Sequence, residues 1–234
     1  MATSAVDGVR FIPASDQSLM VYFAERITVE ANERVVKFLR LLEMQPIEGV
    51  RNLHPAYCSV LIKFDGLRWS HDELEAMLRE YLGLLESVQL AALREIEIPV
   101  CYGGEHGPDL ADVCAIHNLT PERAIALHTS VTYLVYFLGF VPGFAYLGEV
   151  SAELATSRLP TPRRKVPSGS VGIAGNQTGV YPFATPGGWR LIGRTPMAMF
   201  RADRSQLNAL SIGDRVRFTA ISTKRFAELE NAWR

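Results

Sequence analysis

The stretch PSGSVGIAGNQTGVYP, residues 167–182, holds four glycines, two serines, Asn176, Gln177 and Thr178, and no charged side chain. Such a run suits a ligand that approaches the main chain closely. Gly169, Gly172, Gly175 and Gly179 leave backbone N–H groups bare, and long glycine-rich backbone costs conformational entropy that a contact must offset. Ser168, Ser170, Asn176, Gln177 and Thr178 add neutral donors and acceptors. Arg163, Arg164 and Lys165, just upstream, and Arg194 downstream offer cations for a carboxylate or a phosphate. Two neighbouring segments, FLGFVPGFAYLGEV (137–150) and TPGGWRLIGRTP (185–196), share the mixture of Gly, Pro and aromatics. The plainer reading of all three is that Gly and Pro turn the corners of a β-barrel whose core the aromatics fill, with Tyr146 and Trp189 in the core or at an interface.

Other sources of catalysis are absent. There is no G-x-x-x-x-G-K-[ST] phosphate loop, and Ser170 stands in the wrong frame for a G-x-S-x-G nucleophile elbow. The five histidines form no H-x-x-x-H pair and the three cysteines no C-x-x-C, so no metal site built by the chain is expected. His106, His117 and His128 recur every eleven residues, but Pro108 and Pro121 forbid the single helix that would stack them.

The elements that must position these residues fall into two groups. Residues 9–13 and 18–23 read as a hairpin, 31–42 as a helix with Val35, Leu39 and Leu42 on its apolar stripe, and 49–54 and 57–65 as strands. Ser70 and Glu73 form a capping box ahead of a helix whose face carries Leu74, Met77, Leu78, Tyr81, Leu82 and Leu85. Strand 93–101 is expected to close this unit, giving an α+β sandwich over residues 1–95. Helices at 109–117 and 121–129 follow, the second with Thr120 as N-cap and Pro121 at its first position. From Val131 to Thr219 short apolar runs broken by Gly and Pro read as a compact barrel or sandwich, with a terminal helix at 224–233 and the second domain covering 96–234.

With 234 residues, 48% of them hydrophobic, the chain can bury a proper core. Its 24 Lys and Arg balance 25 Asp and Glu, so no global field draws it to nucleic acid or to an anionic membrane. Neither a signal segment nor an apolar run of about 18 residues occurs, which implies a cytoplasmic location with Cys58, Cys101 and Cys114 as reduced thiols.

The segments LGFVPGFAYLG, VPSGSVGIAGNQTGVYP and PGGWRLIGRTP, with the turn CYGGEHGPDL and the pair Leu127–His128, closely resemble signature segments of the KipI / allophanate hydrolase subunit 1 family. Its members are mostly regarded as the B subunit of bacterial 5-oxoprolinase. Relatives often carry Met at the position of Val141 and Pro at that of Ala145. The resemblance runs from about residue 9 to 222 and implies a ferredoxin-like N-terminal domain followed by a cyclophilin-like β-barrel. It implies two partners: a larger cyclophilin-like chain, KipA or the C-type subunit of 5-oxoprolinase, and a third, A-type subunit of different fold. It also implies ATP with Mg acting in the complex, with no cofactor evident on this chain alone. The reaction implied is opening of the 5-oxoproline lactam to L-glutamate, with ATP turning a poor electrophile into a good one by phosphorylating the lactam oxygen. On that reading His128 transfers protons, Gln177 and Thr178 act with it, and Asn176 helps orient the amide. Arg163, Lys165 and Arg194 meet a carboxylate or phosphate, while Ser168, Ser170, Gly172 and Tyr181 line the substrate. Two alternatives stand beside it. One is a carboxyltransferase subunit of a biotin-dependent urea or amide carboxylase, with biotin on another chain because no A-M-K-M segment occurs here. The other is an inhibitor that binds a sensor histidine kinase.

Overall fold

A computed structural model describes residues 8–90, 93–203 and 206–233. Residues 1–7, on which the reading of the N-terminus partly rests, lie outside the described residues. The chain divides into two compact units, Met1–Ala92 and Leu93–Arg234.

In the first unit, β1 (Arg10–Ser15) and β2 (Ser18–Tyr22) form a hairpin, followed by α1 (Val29–Met44), β3 (Val50–Pro55), β4 (Ser59–Phe64) and α2 (His71–Gly83). The four strands make one antiparallel sheet in the order β1-β2-β4-β3. Register places Leu19 opposite Ile62 and Val21 opposite Val60, so period-two alternation aims all four at one face. Val35, Phe38 and Leu42 of α1 and Leu74, Leu78 and Leu82 of α2 pack against that face. Each such buried side chain contributes roughly 1.5–3 kcal/mol over its exposed state. The second helix starts at the cap read from the sequence, whereas α1 starts at Val29, two residues ahead of the 31–42 expected. The Thr28 side chain accepts from the Ala31 N–H, and Ser70 with Glu73 completes the reciprocal capping box.

The second unit contains β5 (Glu95–Tyr102), α3 (Leu110–His117), α4 (Pro121–Thr129), β6 (Thr132–Leu138), β7 (Ala145–Gly148), β8 (Arg163–Val166), β9 (Ser170–Ala174), β10 (Gln177–Val180), β11 (Thr185–Gly187), β12 (Arg190–Arg194), β13 (Arg215–Ala220) and α5 (Thr223–Trp233). Seven strands close a barrel in the order β10-β7-β6-β13-β5-β12-β9, while β8 and β11 form a separate two-stranded ribbon. Tyr133, Val135, Leu147, Val171, Ile173, Val216 and Phe218 fill the barrel.

One expectation is corrected here. Strand 93–101 does not close the first unit's sheet, because β5 pairs in parallel with β13 and antiparallel with β12. Glu95 and Glu97 stand opposite Arg215 and Arg217, and the intervening Ile96 and Ile98 are opposite Val216 and Phe218. Alternating acid and apolar residues therefore meet alternating base and apolar residues, each opposite-charge pair adding roughly 0.2–1 kcal/mol. That partner lies far along the chain, whereas the edge of the first sheet is taken by β1, which precedes it.

Candidate functional site

The glycine-rich run is the β9–β10 hairpin. Ala174 pairs with Gln177 across a two-residue turn, and Gly175, at the first central position, has φ 61, as type II′ hairpins require. Every residue of β9 is buried. Val171, Ile173 and Val180 point into the barrel core, so the alternating positions Gly172 and Gly179, which pair directly, form the outer face. A Cβ on Gly179 would stand 3.2 Å from the Phe144 ring and 3.3 Å from the Trp189 ring. A Cβ there would also stand 3.0 Å from the Ala145 carbonyl oxygen, and one on Gly172 would meet Trp189 Cβ at 3.1 Å and the Arg190 carbonyl oxygen at 3.3 Å, so both glycines are bare because neighbouring chain packs tightly over them. The plainer reading of the run accounts for its backbone.

His128 reaches from α4 into the barrel core and has no exposed surface. Its Nδ1 lies 2.7 Å from the Tyr102 hydroxyl and its Nε2 3.0 Å from Thr178 Oγ1. The Thr178 hydroxyl donates to the Gly172 carbonyl at 3.0 Å, so its oxygen accepts from Nε2–H, and Nδ1 accepts from Tyr102. Phe218 stacks on the ring at 4.6 Å, and the Tyr133 hydroxyl donates to the His128 carbonyl. Burial lowers the His128 pKa to about 3 and raises that of Tyr102 well above the ordinary phenol. The imidazole is neutral, with both nitrogens engaged and no edge open to a substrate. In this geometry His128 and Thr178 brace the hairpin from inside, and neither side chain faces open space.

Arg163 is likewise engaged. Its Nη2 donates to the Asp109 carboxylate at 2.6 Å, and the second oxygen of buried Asp109 accepts the Leu191 N–H at 2.6 Å. Arg194 donates from Nε to the Ser168 carbonyl at 2.8 Å, lies 3.9 Å from Glu230, and covers the Phe226 ring. The Ser168 hydroxyl donates to the Pro182 carbonyl. Ser170 is buried, and its carbonyl accepts the Tyr181 N–H. Asn176, in the turn, donates to Glu149 at 2.9 Å. Lys165 is exposed on β8. The structure thus brings His128, Thr178 and Gly172 together, and Ser168 with Arg194, but it gathers no single cluster of all the expected site residues. The histidines do not converge: His117 bonds Thr156 and His106 packs on Phe226.

What it does assemble is an aromatic face on the outside of the barrel. Phe144, Tyr181 and Trp189 pack with Val166 of the ribbon and Leu191, and Tyr146 packs against them. Tyr146 stacks on Phe137 at 4.3 Å, and its ring centroid is 6.3 Å from that of Trp189. Leu147 and Thr178 point inward, so Tyr146 and Gln177 share this outer face, where Gln177 is half-buried beside Gly148. Arg158, which sequence reasoning did not single out, sits over the Trp189 ring at 5.9 Å. Burial raises the pKa of both Tyr146 and Tyr181; at Tyr181 a hydrogen bond with the Trp189 backbone offsets this first and the Arg158 and Arg163 charges less, and at Tyr146 the Arg158 charge does so. Both phenols remain protonated at neutral pH. Tyr181 and Trp189 are themselves buried, so what this face offers is the Tyr146 phenol, the Gln177 amide and the exposed Arg158 guanidinium, a set suited to a small, polar anion. In the first unit, an open groove of about 330 Å³ lined by Leu42, Pro46, Ile47 and Val50–Leu53 contains none of the expected site residues.

The chain, two compact units of which the second holds a closed barrel, belongs to the family described as carboxyltransferase domain, subdomain C and D, whose model matches residues 9–210. Its relatives narrow this. The chain is 41% identical over 221 residues to the 5-oxoprolinase B subunit of Bacillus subtilis (strain 168), covering 90% of this chain and 92% of that protein. It is 38% identical over 217 residues to the 5-oxoprolinase B subunit of Haemophilus influenzae, covering 90% and 97%. Among solved structures, a conserved uncharacterized protein of Pyrococcus horikoshii is 41% identical, with TM-score 0.56 over 93% of this chain and 100% of that one. A longer solved protein, 36% identical with TM-score 0.77, is covered over 40% of its length by 88% of this chain. The Kluyveromyces lactis urea carboxylase, at 17% identity and TM-score 0.79 over 96% of this chain and 23% of that one, shares the fold alone.

Proposed function

We propose that the chain is the B subunit of an ATP-dependent 5-oxoprolinase, opening the lactam of 5-oxoproline to L-glutamate in a complex with two further chains, one a cyclophilin-like C-type subunit, the other an A-type subunit of different fold. The observation that carries this reading is identity of 38–41% over 90% of the chain to proteins named as B subunits of 5-oxoprolinase. The outer aromatic face adds chemistry of the right kind, because a lactam carrying one carboxylate is a small, flat anion with an amide to be oriented. Gln177 and Tyr146 are assigned to the substrate amide and ring, buried Tyr181 to backing that wall, and His128 and Thr178 to holding the hairpin that presents Gln177.

A lactam is a resonance-stabilised amide, and attack by water needs the carbonyl activated. ATP supplies that activation when bound. The described residues contain no group of three or more His, Cys, Asp or Glu suited to a metal ion, and the sequence has no phosphate loop. ATP with Mg is proposed to act in the assembled complex. The finer fold names belong to the same proposal. The first unit is read as ferredoxin-like, since β4 inserts between β2 and β3 on either side of α1, and the barrel as cyclophilin-like. No helix among the described residues is long and apolar enough to cross a membrane, and a cytoplasmic location is proposed.

The test is the set of chains that co-purify with a tagged copy from its own cells. Two unmodified partners whose mixture with this chain hydrolyses ATP in the presence of 5-oxoproline are expected. A biotinylated partner, or a histidine kinase, would replace this reading with one of the two alternatives.

A further inference from the structure

The cations of the barrel unit differ in what neutralises them. Asp109 answers Arg163, Asp112 answers Arg190, Glu153 answers Arg123 and Glu230 answers Arg194. Arg158 has no carboxylate within ion-pair distance among the described residues, yet its guanidinium is held against the Trp189 ring at 5.9 Å. At that distance the guanidinium is within cation–π reach of the indole, and Arg158 is exposed, so its N–H groups are open to a ligand. Tyr146, partly exposed on the same face, lies close enough for Arg158 to act on its hydroxyl, and so does Tyr181 beneath it. An exposed guanidinium over an indole, with the partly exposed Tyr146 phenol beside it and no carboxylate within ion-pair distance among the described residues, is arranged to receive a planar carboxylate.

We propose that Arg158, braced over Trp189 and beside Tyr146, binds the carboxylate of the cyclic amide substrate. This rests on the 5-oxoprolinase reading and adds to it the residue that distinguishes 5-oxoproline from a neutral lactam. The carboxylate takes no part in ring opening, so its contact is the same in the ground state and in the transition state. Losing such uniform binding raises KM and leaves kcat unchanged.

The experiment uses the complete complex with its partner chains, assembled with wild-type chain, Arg158→Gln or Arg158→Lys, and follows glutamate release against 5-oxoproline concentration, with assembly checked by size-exclusion chromatography. For Arg158→Gln the KM is expected to rise about ten- to a hundredfold, the scale of one charge-assisted hydrogen-bonded contact, with kcat within about twofold. Arg158→Lys, which keeps the charge and loses the fork, is expected to fall between the two. An unchanged KM in an active, assembled Arg158→Gln complex overturns the carboxylate seat and leaves the enzyme assignment standing. Failure of the variant to assemble also overturns it, placing Arg158 at an interface with a partner chain. Absence of glutamate from an assembled wild-type complex removes the underlying assignment together with this inference.

Discussion

The imidazole of His128 donates from Nε2 to Thr178 Oγ1 at 3.0 Å, and these two side chains tie helix α4 to the glycine hairpin through the inside of the barrel. With Tyr102 donating to Nδ1 and Thr178 donating to Gly172, every proton in the chain of hydrogen bonds points the same way. Protonating the imidazole would set Nδ1–H against the Tyr102 hydroxyl proton in a site with no water contact.

This arrangement makes stability depend on pH. The His128 pKa falls from 6.5 to about 3 on folding, so below about pH 6.5 the unfolded chain takes up a proton that the folded one refuses. The stabilisation is fully present above pH 6.5 and is lost as pH falls toward 3, by up to roughly 1.4 kcal/mol per pH unit. Thermal melts of wild type and His128→Gln between pH 7.5 and pH 4 should show a steeper loss for wild type. Parallel slopes would contradict a neutral, buried His128.

Two glycines of the same hairpin region should differ in their tolerance of a methyl group. Both have positive φ, 80 at Gly169 and 61 at Gly175. A Cβ at Gly169 would collide with the Thr195 carbonyl oxygen, whereas one at Gly175 meets nothing within 4 Å. Gly169→Ala should cost about 3 kcal/mol or more and Gly175→Ala about 1–2, read from urea unfolding. Equal costs would show that backbone conformation alone, and not contact with the residue following β12, sets the penalty.

Asp109 links the ribbon strand β8 to the barrel strand β12 by holding both Arg163 and the Leu191 N–H. Asp109→Ala strands both donors and is expected to cost about 2–4 kcal/mol, while Asp109→Asn, which can still accept one of them, should cost less. The reverse order, in the same urea unfolding measurement, would refute the two-donor account.

In the first unit, Phe38 is fully buried between α1 and the sheet, and Ser70 caps α2. Denaturant unfolding should place Phe38→Ala at about 3–5 kcal/mol and Ser70→Ala near 1 kcal/mol.

Much of this architecture was legible because its signals are local. Ser70 with Glu73, and Thr120 with Pro121, mark helix starts through groups a few residues apart, and both helices begin there. The Gly175–Asn176 turn sits inside the run that is most conspicuous in the sequence. Signals that depend on distant partners were not legible. The alternation Glu95, Ile96, Glu97, Ile98 announces a strand but not that Arg215 and Arg217 face it. His128 in ALHTS looks like any helical histidine until Tyr102, Thr178 and Phe218 surround it. Arg158 lies in a basic, proline-rich stretch where Arg163, Arg164 and Lys165 are more conspicuous, and only the fold brings Trp189 beneath it. Arg163 stands out for its charge, but that charge is answered by an aspartate whose place nothing local indicates.

Glutamate release from 5-oxoproline, with and without ATP, by this chain alone and by its assembled complex, tests the central claim most directly. The account predicts ATP-dependent glutamate from the complex, with none from the chain alone. A correctly assembled complex that hydrolyses no 5-oxoproline in the presence of ATP would contradict it.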